Sequence, residues 1–280
     1  MPELPEVETV RQGLQQTVVG HTIMDATVLL PKTVRHASPE DFSRTVAGCR
    51  IETIHRRGKY LLIFLSGSWC LVVHLRMTGR FDYLPNATPC HPHTRVILHL
   101  DRGWDLRFVD MRTFGVMELV AADAWDTLPG LAALGPEPDS AEFNATYLSE
   151  KARNRTLPVK AFLLNQTVVA GVGNIYADES LFRARIHPES PAGCLSLPDW
   201  ERLSQAIRET LADGITHRGT SVQSYLNLDG RPGSYQDCLQ VYQQTGQPCP
   251  RCGTLIIKNR TAGRGTHFCP ACQSRPSSSG

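Results

Sequence analysis

The stretch "CPRCGTLIIKNRTAGRGTHFCPAC", residues 249–272, contains two Cys-x2-Cys pairs separated by 16 residues. This spacing is typical of a structural zinc site, in which four thiolates surround the metal and leave no position open for chemistry. Two disulfides or a chance arrangement are the alternatives, and both are disfavoured in a chain that reads as cytoplasmic. The small C-terminal segment also has too few apolar residues to fold without a bound metal or a similar cross-link. We therefore predict one structural Zn2+ held by Cys249, Cys252, Cys269 and Cys272.

The residues between the two cysteine pairs predict a β-hairpin. The segments "TLIIKNR" (254–260) and "THFC" (266–269) have the composition of strands, and "TAGRG" (261–265) joins them. The metal would stiffen this hairpin, whose glycine-flanked tip presents Arg264. A guanidinium held on a stiff tip is well suited to bind phosphate.

The distribution of charge along the chain favours a nucleic-acid-facing surface. The net charge of the 280 residues is only +2, but no acidic residue follows Asp237, while five Lys or Arg do. Two further basic clusters lie in residues 50–59 and 151–160. Local basic clusters on a near-neutral chain are typical of proteins that bind nucleic acids. For any one cluster alone, solvated loops and strand ends are the simpler interpretation.

The chain begins "MPELPEVETV", with Pro2 directly after the initiator Met1. Removal of Met1 would leave Pro2 with a free secondary amine. An α-amine has a pKa of about 7.7–8.0, so a useful fraction is neutral near pH 7 and can attack an aldehyde-like carbon. A neighbouring carboxylate, Glu3 or Glu6, could move protons. The alternative is that these prolines and acids only begin a helix.

The N-terminal half predicts a β-sandwich or barrel preceded by a helix. Apolar residues recur at helical spacing from Leu4 to Val18, with Pro5 in the first turn and Gly20 as a stop. Short β-rich runs bounded by turn residues follow. These runs are "TIMDATVLL", "YLLIFL", "WCLVVHL", "TRVILHL" and "WDLRFVD".

The second half of the chain reads as helical. A segment rich in Pro and Gly lies within residues 121–144, and helical patterns follow it near 141–152, 159–166, 174–184 and 199–213. Gly171 and Gly173 precede Asn174, which we predict to cap the third of these helices. A helix N-terminus behind glycines is a plausible seat for a phosphate.

Taken together and in order, these motifs resemble bacterial formamidopyrimidine-DNA glycosylase. The matching segments run from residue 2 to residue 272 and are "PELPEVET", "RRGKYLL", "HLRMTGR", "DMRTFG", "LGPEP", "AGVGNIYADESLFRARIHP", "LQVY" and the four-cysteine finger. The resemblance implies an α+β fold with an N-terminal β-sandwich and its leading helix, a helix–two-turn–helix domain and a C-terminal zinc-finger β-hairpin. We predict domain limits of 1–130, 131–235 and 236–274, with a tail at 275–280.

The resemblance also implies an activity in base excision repair. The family removes oxidised purines, 8-oxoguanine and formamidopyrimidines, and then cleaves the abasic strand by β,δ-elimination. Pro2 would be the Schiff-base nucleophile at C1′, Glu3 its general acid/base partner and Glu6 a support for the amine. Lys59 would contact the lesion's phosphate and assist β-elimination. Arg264 would grip the phosphates beside the flipped nucleotide and assist δ-elimination.

Further positions match residues of the family that contact DNA. His91, Arg112, Arg155 and Asn174 match DNA-contacting positions. Base extrusion costs a few kcal/mol of unstacking, and side chains that fill the resulting gap offset part of that cost. The residues that match this gap-filling trio are Met77, Arg112 and Phe114.

Two positions differ from the motifs of this family or of its sister branch. Thr113 in "DMRTFG" stands where the family often carries Arg or Lys, so we expect at most one phosphate contact fewer. Leu4 stands where the sister branch that removes oxidised pyrimidines carries Gly in "PEGPE", which favours the purine branch. The segment 220–237 lies where the family carries a lesion-reading loop, and Gly230, Pro232 and Gly233 fit such a loop.

Two alternatives remain beside an oxidised-purine glycosylase and abasic-site lyase. One is an oxidised-pyrimidine glycosylase of the sister branch, and the other is a non-catalytic protein that binds damaged DNA. The joint presence of Pro2, Glu3, Lys59 and Arg264 favours an enzyme. The expected partner is double-stranded DNA containing oxidised purines or abasic sites. We expect the protein to be a monomer. Because the sequence has no apolar run of about 18 residues and no signal peptide, we expect it in the bacterial cytoplasm and not at a membrane. There it would be associated with the nucleoid through DNA.

Overall fold

The computed structural model describes residues 1–220 and 233–275. These residues form two compact units. The N-terminal unit comprises Met1–Ala132 with His217–Ser234, and the C-terminal unit comprises Ala133–Thr216 with Tyr235–Gly280. The predicted α+β class is confirmed, whereas the domain limits of the sequence analysis stay a prediction. Among the described helices, none is both long enough and apolar enough to cross a membrane.

The first helix begins where the sequence predicts. Helix α1 spans Leu4–Thr17, with Pro5 in its first turn and Glu3 as its N-cap residue. The Glu3 backbone N–H donates to the Glu6 side chain, which satisfies a helix-end donor that no carbonyl can reach. Val7, Val10 and Leu14 are buried on one face, as their helical spacing requires.

Two β-sheets form the body of the N-terminal unit. One sheet has five strands in the order β2-β9-β5-β4-β3, and the other has four in the order β1-β7-β8-β6. All neighbours run antiparallel except β2 and β9, which are parallel. The strands are β1 Ile23–Val28, β2 Val34–Arg35, β3 Ile51–Arg57, β4 Tyr60–Leu65, β5 Trp69–His74, β6 Gly79–Pro85, β7 Thr94–Leu100, β8 Trp104–Asp110 and β9 Val116–Ala121.

A single apolar core lies between these sheets. Alternate residues of the five-stranded sheet, such as Leu61 and Ile63, pack in one cluster with Phe81 and Phe108 of the four-stranded sheet. This arrangement confirms the predicted sandwich. An additional helix, α2 at Pro39–Val46, was not anticipated; it is short, and Ser38 caps it by accepting from the Asp41 N–H.

The C-terminal unit contains the predicted series of helices. A one-turn helix, α3 at Pro129–Ala132, ends the first part of the N-terminal unit. The helices that follow are α4 Ala145–Ala152, α5 Val159–Leu164, α6 Asn174–Ala184 and α7 Leu197–Thr216. Phe162 of α5 packs on Trp200 of α7 with ring centroids 5.5 Å apart, so these elements share a core.

The predicted hairpin is present, with shifted strand limits. Strand β10 spans Ile257–Thr261 and strand β11 spans Arg264–Phe268. The loop is therefore only Ala262–Gly263, and both residues have positive φ values of 47° and 77°. Such a two-residue turn matches the twist of the strands it joins. Arg264 consequently begins a strand instead of occupying a longer tip.

Candidate functional site

Buried residues follow directly after the exposed Met1 at the amino terminus. Pro2 is buried, and Glu3 and Glu6 are only 3% and 2% exposed. The Oε2 atom of Glu6 accepts from the Glu3 N–H at 2.8 Å, while Oε1 accepts from the Thr220 N–H at 2.8 Å and from the Thr220 hydroxyl at 3.1 Å. Glu6 thus connects the start of the chain to the second segment of the N-terminal unit, which begins at His217.

Gly219 is required for this junction. Its φ is +78°, and a Cβ at this position would lie 2.8 Å from Cγ of Glu6. A side chain would therefore meet both a strained backbone and the carboxylate that holds Thr220.

The charges around the terminal amine gather several of the predicted residues. Burial lowers the pKa of the Met1 α-amine. The carboxylates of Glu3 and Glu6 oppose this shift, and the cations of Lys59 and Arg112 add to it. This shift belongs to the Met1 amine, and removal of Met1 would leave the Pro2 nitrogen one residue further in, beside the same buried carboxylates. The structure therefore brings Glu3, Glu6, Lys59 and Arg112 into the electrostatic environment of the chain terminus.

His74 lies within the electrostatic reach of Lys59, and the sequence analysis did not single it out. Burial, reinforced by the cations of Arg76, Lys59 and Arg35, lowers the pKa of His74 to about 3. The ring is therefore neutral at physiological pH. Its Nδ1 accepts from the Arg76 N–H at 2.9 Å, so Nε2 carries the proton. The only sequence signal is its place at the start of "HLRMTGR".

Asp110 organises the turn that follows β8. It is 1% exposed, and its Oδ2 accepts from the Gly115 N–H at 2.7 Å. Its Oδ1 accepts from the Arg112 N–H at 3.2 Å and from the Thr78 hydroxyl. The Arg112 N–H also donates to Thr78 Oγ1 at 3.0 Å. One buried carboxylate thereby fixes both ends of the turn, a role that no local pattern indicates.

Two of the three residues predicted to fill the gap, Arg112 and Phe114, meet at this turn. The Arg112 guanidinium lies 5.0 Å from the centroid of the Phe114 ring, and Phe114 is 50% exposed. Met77 precedes Thr78, which is hydrogen-bonded to Arg112, and is half-buried. Because the Phe114 ring is half exposed, it is not a core residue. A large exposed aromatic ring beside a guanidinium suits a contact with a base stack.

The loop that carries His91 is held by two arginines. Arg107 is 2% exposed, pairs with Asp105, and donates to the carbonyls of Asn86 and Pro89 at 3.1 and 3.2 Å. Arg95 donates to the Asp110 carbonyl at 2.9 Å and contacts Nδ1 of His93 at 3.0 Å.

His91 itself stays at the surface of this supported loop. Its ring is exposed, and its Nδ1 accepts from the His93 N–H at 3.1 Å.

The C-terminal unit brings together Asn174 and the strand that begins at Arg264. The N-cap of α6 is Gly173 and not Asn174, so the predicted cap is wrong by one residue. Asn174 is instead the first helical residue, and its Nδ2 donates to the Gly265 carbonyl at 3.1 Å. Its Oδ1 is buried and has no hydrogen-bond partner among the described residues. The Arg264 side chain is exposed directly beside this contact.

The sequence analysis interprets the basic cluster of residues 151–160 as either a DNA-facing surface or solvated loops. For Lys160 both interpretations are wrong. The residue is fully buried in α5, where its Nζ lies 2.7 Å from Asp178 Oδ1 of α6. Nζ also donates to the Gly265 carbonyl at 2.8 Å, and Asp178 Oδ2 accepts from the His267 N–H at 2.9 Å. This buried pair ties two helices to β11. By contrast, Arg155 lies exposed after α4, and its carbonyl accepts from the Gly193 N–H at 2.8 Å.

The four patterned cysteines form a single cluster that fits zinc. Their sulfurs all lie within 4.8 Å of one another. The Cys249–Cys272, Cys252–Cys269 and Cys252–Cys272 Sγ pairs are 3.9, 3.5 and 3.4 Å apart. A tetrahedral centre with Zn–S bonds of about 2.3 Å requires sulfurs roughly 3.8 Å apart, so the set fits a closed site of four thiolates.

Backbone groups support this cluster. The N–H groups of Arg251 and Cys272 point at the sulfurs of Cys249 and Cys269, both at 3.4 Å, as expected around thiolate ligands. Phe182 of α6 packs into the same small core, so the finger is anchored to the helix.

Comparison with known proteins covers nearly the whole chain. Residues 1–117 match the model of the formamidopyrimidine-DNA glycosylase N-terminal domain, and residues 134–225 match the formamidopyrimidine-DNA glycosylase H2TH domain. Residues 246–275 match the zinc finger found in FPG and IleRS. A formamidopyrimidine-DNA glycosylase of Pelotomaculum thermopropionicum is 48% identical over 98% of this chain and 99% of its own length. The chain belongs to the formamidopyrimidine-DNA glycosylase family.

Solved structures of formamidopyrimidine-DNA glycosylases share the fold. The Lactococcus lactis Fpg in complex with DNA containing an abasic site matches with a TM-score of 0.91 and 39% identity, covering 98% of this chain and 100% of that chain. MutM in complex with DNA containing carbocyclic 8-oxo-G matches with the same TM-score, identity and coverage. The family finger and the four-cysteine cluster together establish a single structural zinc as the cofactor.

The lesion-reading loop predicted for this member of the glycosylase family falls largely outside the described residues. Gly230 and Pro232 belong to that part of the chain. Gly233 is described, and a Cβ there would lie 2.2 Å from the Gly219 carbonyl oxygen. The base of the segment therefore accepts only glycine at this point.

Proposed function

We propose that this chain is a bifunctional DNA glycosylase and abasic-site lyase that removes oxidised purines in base excision repair. The observation that carries the proposal is the burial of Pro2 beside the buried carboxylates of Glu3 and Glu6, at a chain terminus that also lies within the electrostatic reach of Lys59 and Arg112. The family membership and the DNA-bound structural neighbours support the same activity.

After removal of Met1, the neutral Pro2 nitrogen attacks C1′ of the damaged nucleotide. The bond from C1′ to the base breaks, the base leaves with its electron pair and takes up a proton, and an iminium ion forms between Pro2 and the opened sugar. Glu3 is the proton carrier, since its carboxylate is buried beside Pro2. Glu6 keeps the backbone at the nucleophile in place through the Glu3 N–H.

The iminium ion then permits cleavage of the strand. It acidifies the C2′ hydrogen, so loss of that proton expels the 3′ phosphate, and a second elimination expels the 5′ phosphate. Lys59 and Arg264 are proposed to bind these phosphates, the second with Asn174 beside it. Hydrolysis of the imine releases the sugar fragment and restores the amine.

The partner is double-stranded DNA with an oxidised purine or an abasic site. Arg112, Phe114 and Met77 would fill the gap left by the extruded nucleotide, and His91 and Arg155 would contact the backbone. The curated relative is a bacterial protein, and we place this enzyme in the bacterial cytoplasm at the nucleoid.

Borohydride trapping tests this function directly. The purified protein is incubated with an 8-oxoguanine·cytosine duplex and sodium borohydride, and peptide mass spectrometry locates the reduced adduct. We expect one adduct on Pro2 in chains that lack Met1. A trimmed protein that binds the duplex but forms no adduct would instead be a damaged-DNA-binding protein, unless an oxidised-thymine duplex traps it and identifies the pyrimidine branch.

A further inference from the structure

Thr113 has a backbone conformation that is unusual for its type. Its φ is 58°, in the left-handed region that β-branched residues rarely adopt. The hydrogen bonds from the Arg112 and Gly115 N–H groups to Asp110 fix the backbone on both sides of it. The turn therefore presents the Thr113 side chain in one direction, between Arg112 and Phe114.

The Thr113 hydroxyl contacts a cation from a distant part of the sequence. Lys32 Nζ donates to Thr113 Oγ1 at 2.8 Å, across 81 positions in the chain. Lys32 lies in a one-turn 3-10 helix at Pro31–Thr33, directly before β2. Strand β2 pairs with β9, with Val34 opposite Met117, so the segment is fastened to the same sheet edge as the turn.

Lys32 carries an exposed charge without an acidic neighbour. Within residues 1–220 and 233–275, no carboxylate lies within ion-pair distance of its ammonium. By comparison, the exposed cations Arg44 and Arg102 pair with Asp41 and Asp101. An ammonium has three N–H donors and Thr113 accepts only one, so two donors remain for a ligand.

We propose that Lys32 is a DNA-binding residue that contacts a backbone phosphate beside the turn of residues 111–114. Its ammonium lies within hydrogen-bond distance of the Thr113 hydroxyl, which orients it beside Arg112 and Phe114. This inference rests on the proposed function, because it assigns the DNA contact to the surface that carries Arg112 and Phe114. Phosphate is the chemistry that suits an unpaired, solvent-facing ammonium on such a surface.

The salt dependence of DNA binding tests this assignment. Binding of a fluorescent duplex with a tetrahydrofuran abasic analogue is measured by anisotropy at several NaCl concentrations. Loss of one phosphate contact lowers the slope of log K against log salt by about 0.9, so Lys32→Met should weaken binding roughly eightfold at about 0.1 M salt. The matched control, Arg44→Met, removes an equal charge from an exposed site on α2 and should leave the slope unchanged.

A rescue variant separates a phosphate contact from a general effect of charge. Lys32→Met combined with Thr113→Arg should recover most of the slope, since the base then comes from position 113. A wild-type slope in Lys32→Met, or no recovery in the double variant, would overturn the proposal. An undamaged duplex serves as the second probe, because the phosphate contact does not require the lesion. If borohydride traps no wild-type protein on damaged DNA, the proposed function fails, while the slope difference for Lys32→Met still decides the phosphate contact.

Discussion

Glu6 is the residue that ties the start of the chain to its surroundings. Its two oxygens accept from Glu3 and Thr220, two residues that are 217 positions apart by their numbers but are neighbours in space. The nucleophile proposed at Pro2 therefore depends on a carboxylate that does not itself react. Such a residue holds a reacting group in position, which is one of the ways in which a protein accelerates a reaction.

Replacing Pro2 tests the nucleophile itself. Pro2→Gly leaves an amine after removal of Met1, but this amine is primary and has lost the ring that fixes its direction. We expect glycosylase activity in single-turnover assays to be nearly abolished, while binding to the abasic-analogue duplex persists. Full activity in a variant shown by mass spectrometry to be trimmed would reject Pro2 as the nucleophile.

Replacing Glu6 tests whether its hydrogen bonds hold the backbone next to Pro2 in place. Glu6→Gln puts an amide NH2 against a backbone N–H, so one buried donor loses its acceptor at a cost of about 1–3 kcal/mol. We expect a lower free energy of unfolding in urea and a slower glycosylase step. Glu40→Gln, at an exposed position of α2, is the matched control and should change neither quantity.

His74 makes the stability of the N-terminal unit depend on pH. Its folded-state pKa of about 3 lies below the ordinary value of 6.5, so between these values only the unfolded chain binds the proton. Stability should therefore fall as the pH drops below about 6.5, by up to about 1.4 kcal/mol per pH unit. His74→Asn keeps an acceptor for the Arg76 N–H but does not titrate.

Urea unfolding near pH 7 and near pH 5 measures this effect. The wild-type protein should lose up to about 2 kcal/mol more than His74→Asn between the two conditions. His55→Asn, on the exposed side of β3, is the control and should behave as wild type. Equal losses in all three proteins would show that His74 is not the titrating group.

At the scale of elements, the buried Lys160–Asp178 pair connects α5 and α6 to the strand of Arg264. Lys160→Met would leave the Asp178 carboxylate buried without its cation, which costs about 3–5 kcal/mol. We expect a clear drop in the melting temperature of the C-terminal unit and weaker DNA binding through Arg264. Lys151→Met, at an exposed position of α4, should melt like the wild type. Equal melting temperatures for the two variants would show that the pair contributes little.

The elements that the sequence predicted best are those whose pattern is purely local. The runs "YLLIFL" and "TRVILHL" became strands with the predicted limits, because turn residues bound each apolar run. The hairpin limits were off because register depends on the two-residue turn at Ala262–Gly263. Helix α2 was missed because eight residues with two buried apolar side chains carry little periodicity.

The same division applies to the candidate site. The residues with chemical motifs, such as Pro2 and the four cysteines, could be named from the sequence. Their supports could not, because each acts across the chain, as Glu6 does on Thr220 over 214 positions. Lys160 shows the converse error, since a run of basic residues does not reveal which member points into the core.

At the scale of the whole molecule, we expect a chelator to unfold part of the C-terminal unit and to leave the N-terminal unit folded, because the four zinc-binding cysteines all belong to the C-terminal unit. Removal of the metal leaves four thiolates without their common ligand, so the finger and the strand of Arg264 should lose their structure. We expect the β-sandwich of the N-terminal unit to remain folded, because none of the four zinc-binding cysteines belongs to its apolar core.

Limited proteolysis with and without chelator can follow this difference between the two units. Cleavage should appear first within the finger, and DNA binding should be lost while the N-terminal fragment persists. Re-addition of Zn2+ should restore binding. Normal DNA binding by metal-free protein would contradict a role of the zinc in holding the finger.

The burial of Pro2 bears on the maturation of the chain. Met1 is 47% exposed, whereas Pro2 behind it is enclosed, so an aminopeptidase acting on the folded chain meets only one open side of the bond that it must cut. We therefore expect the methionine to be removed faster from the nascent or unfolded chain than from the folded one. A molecule that keeps its methionine has no free secondary amine, so it would be silent in amine chemistry while its four cysteines could still bind zinc.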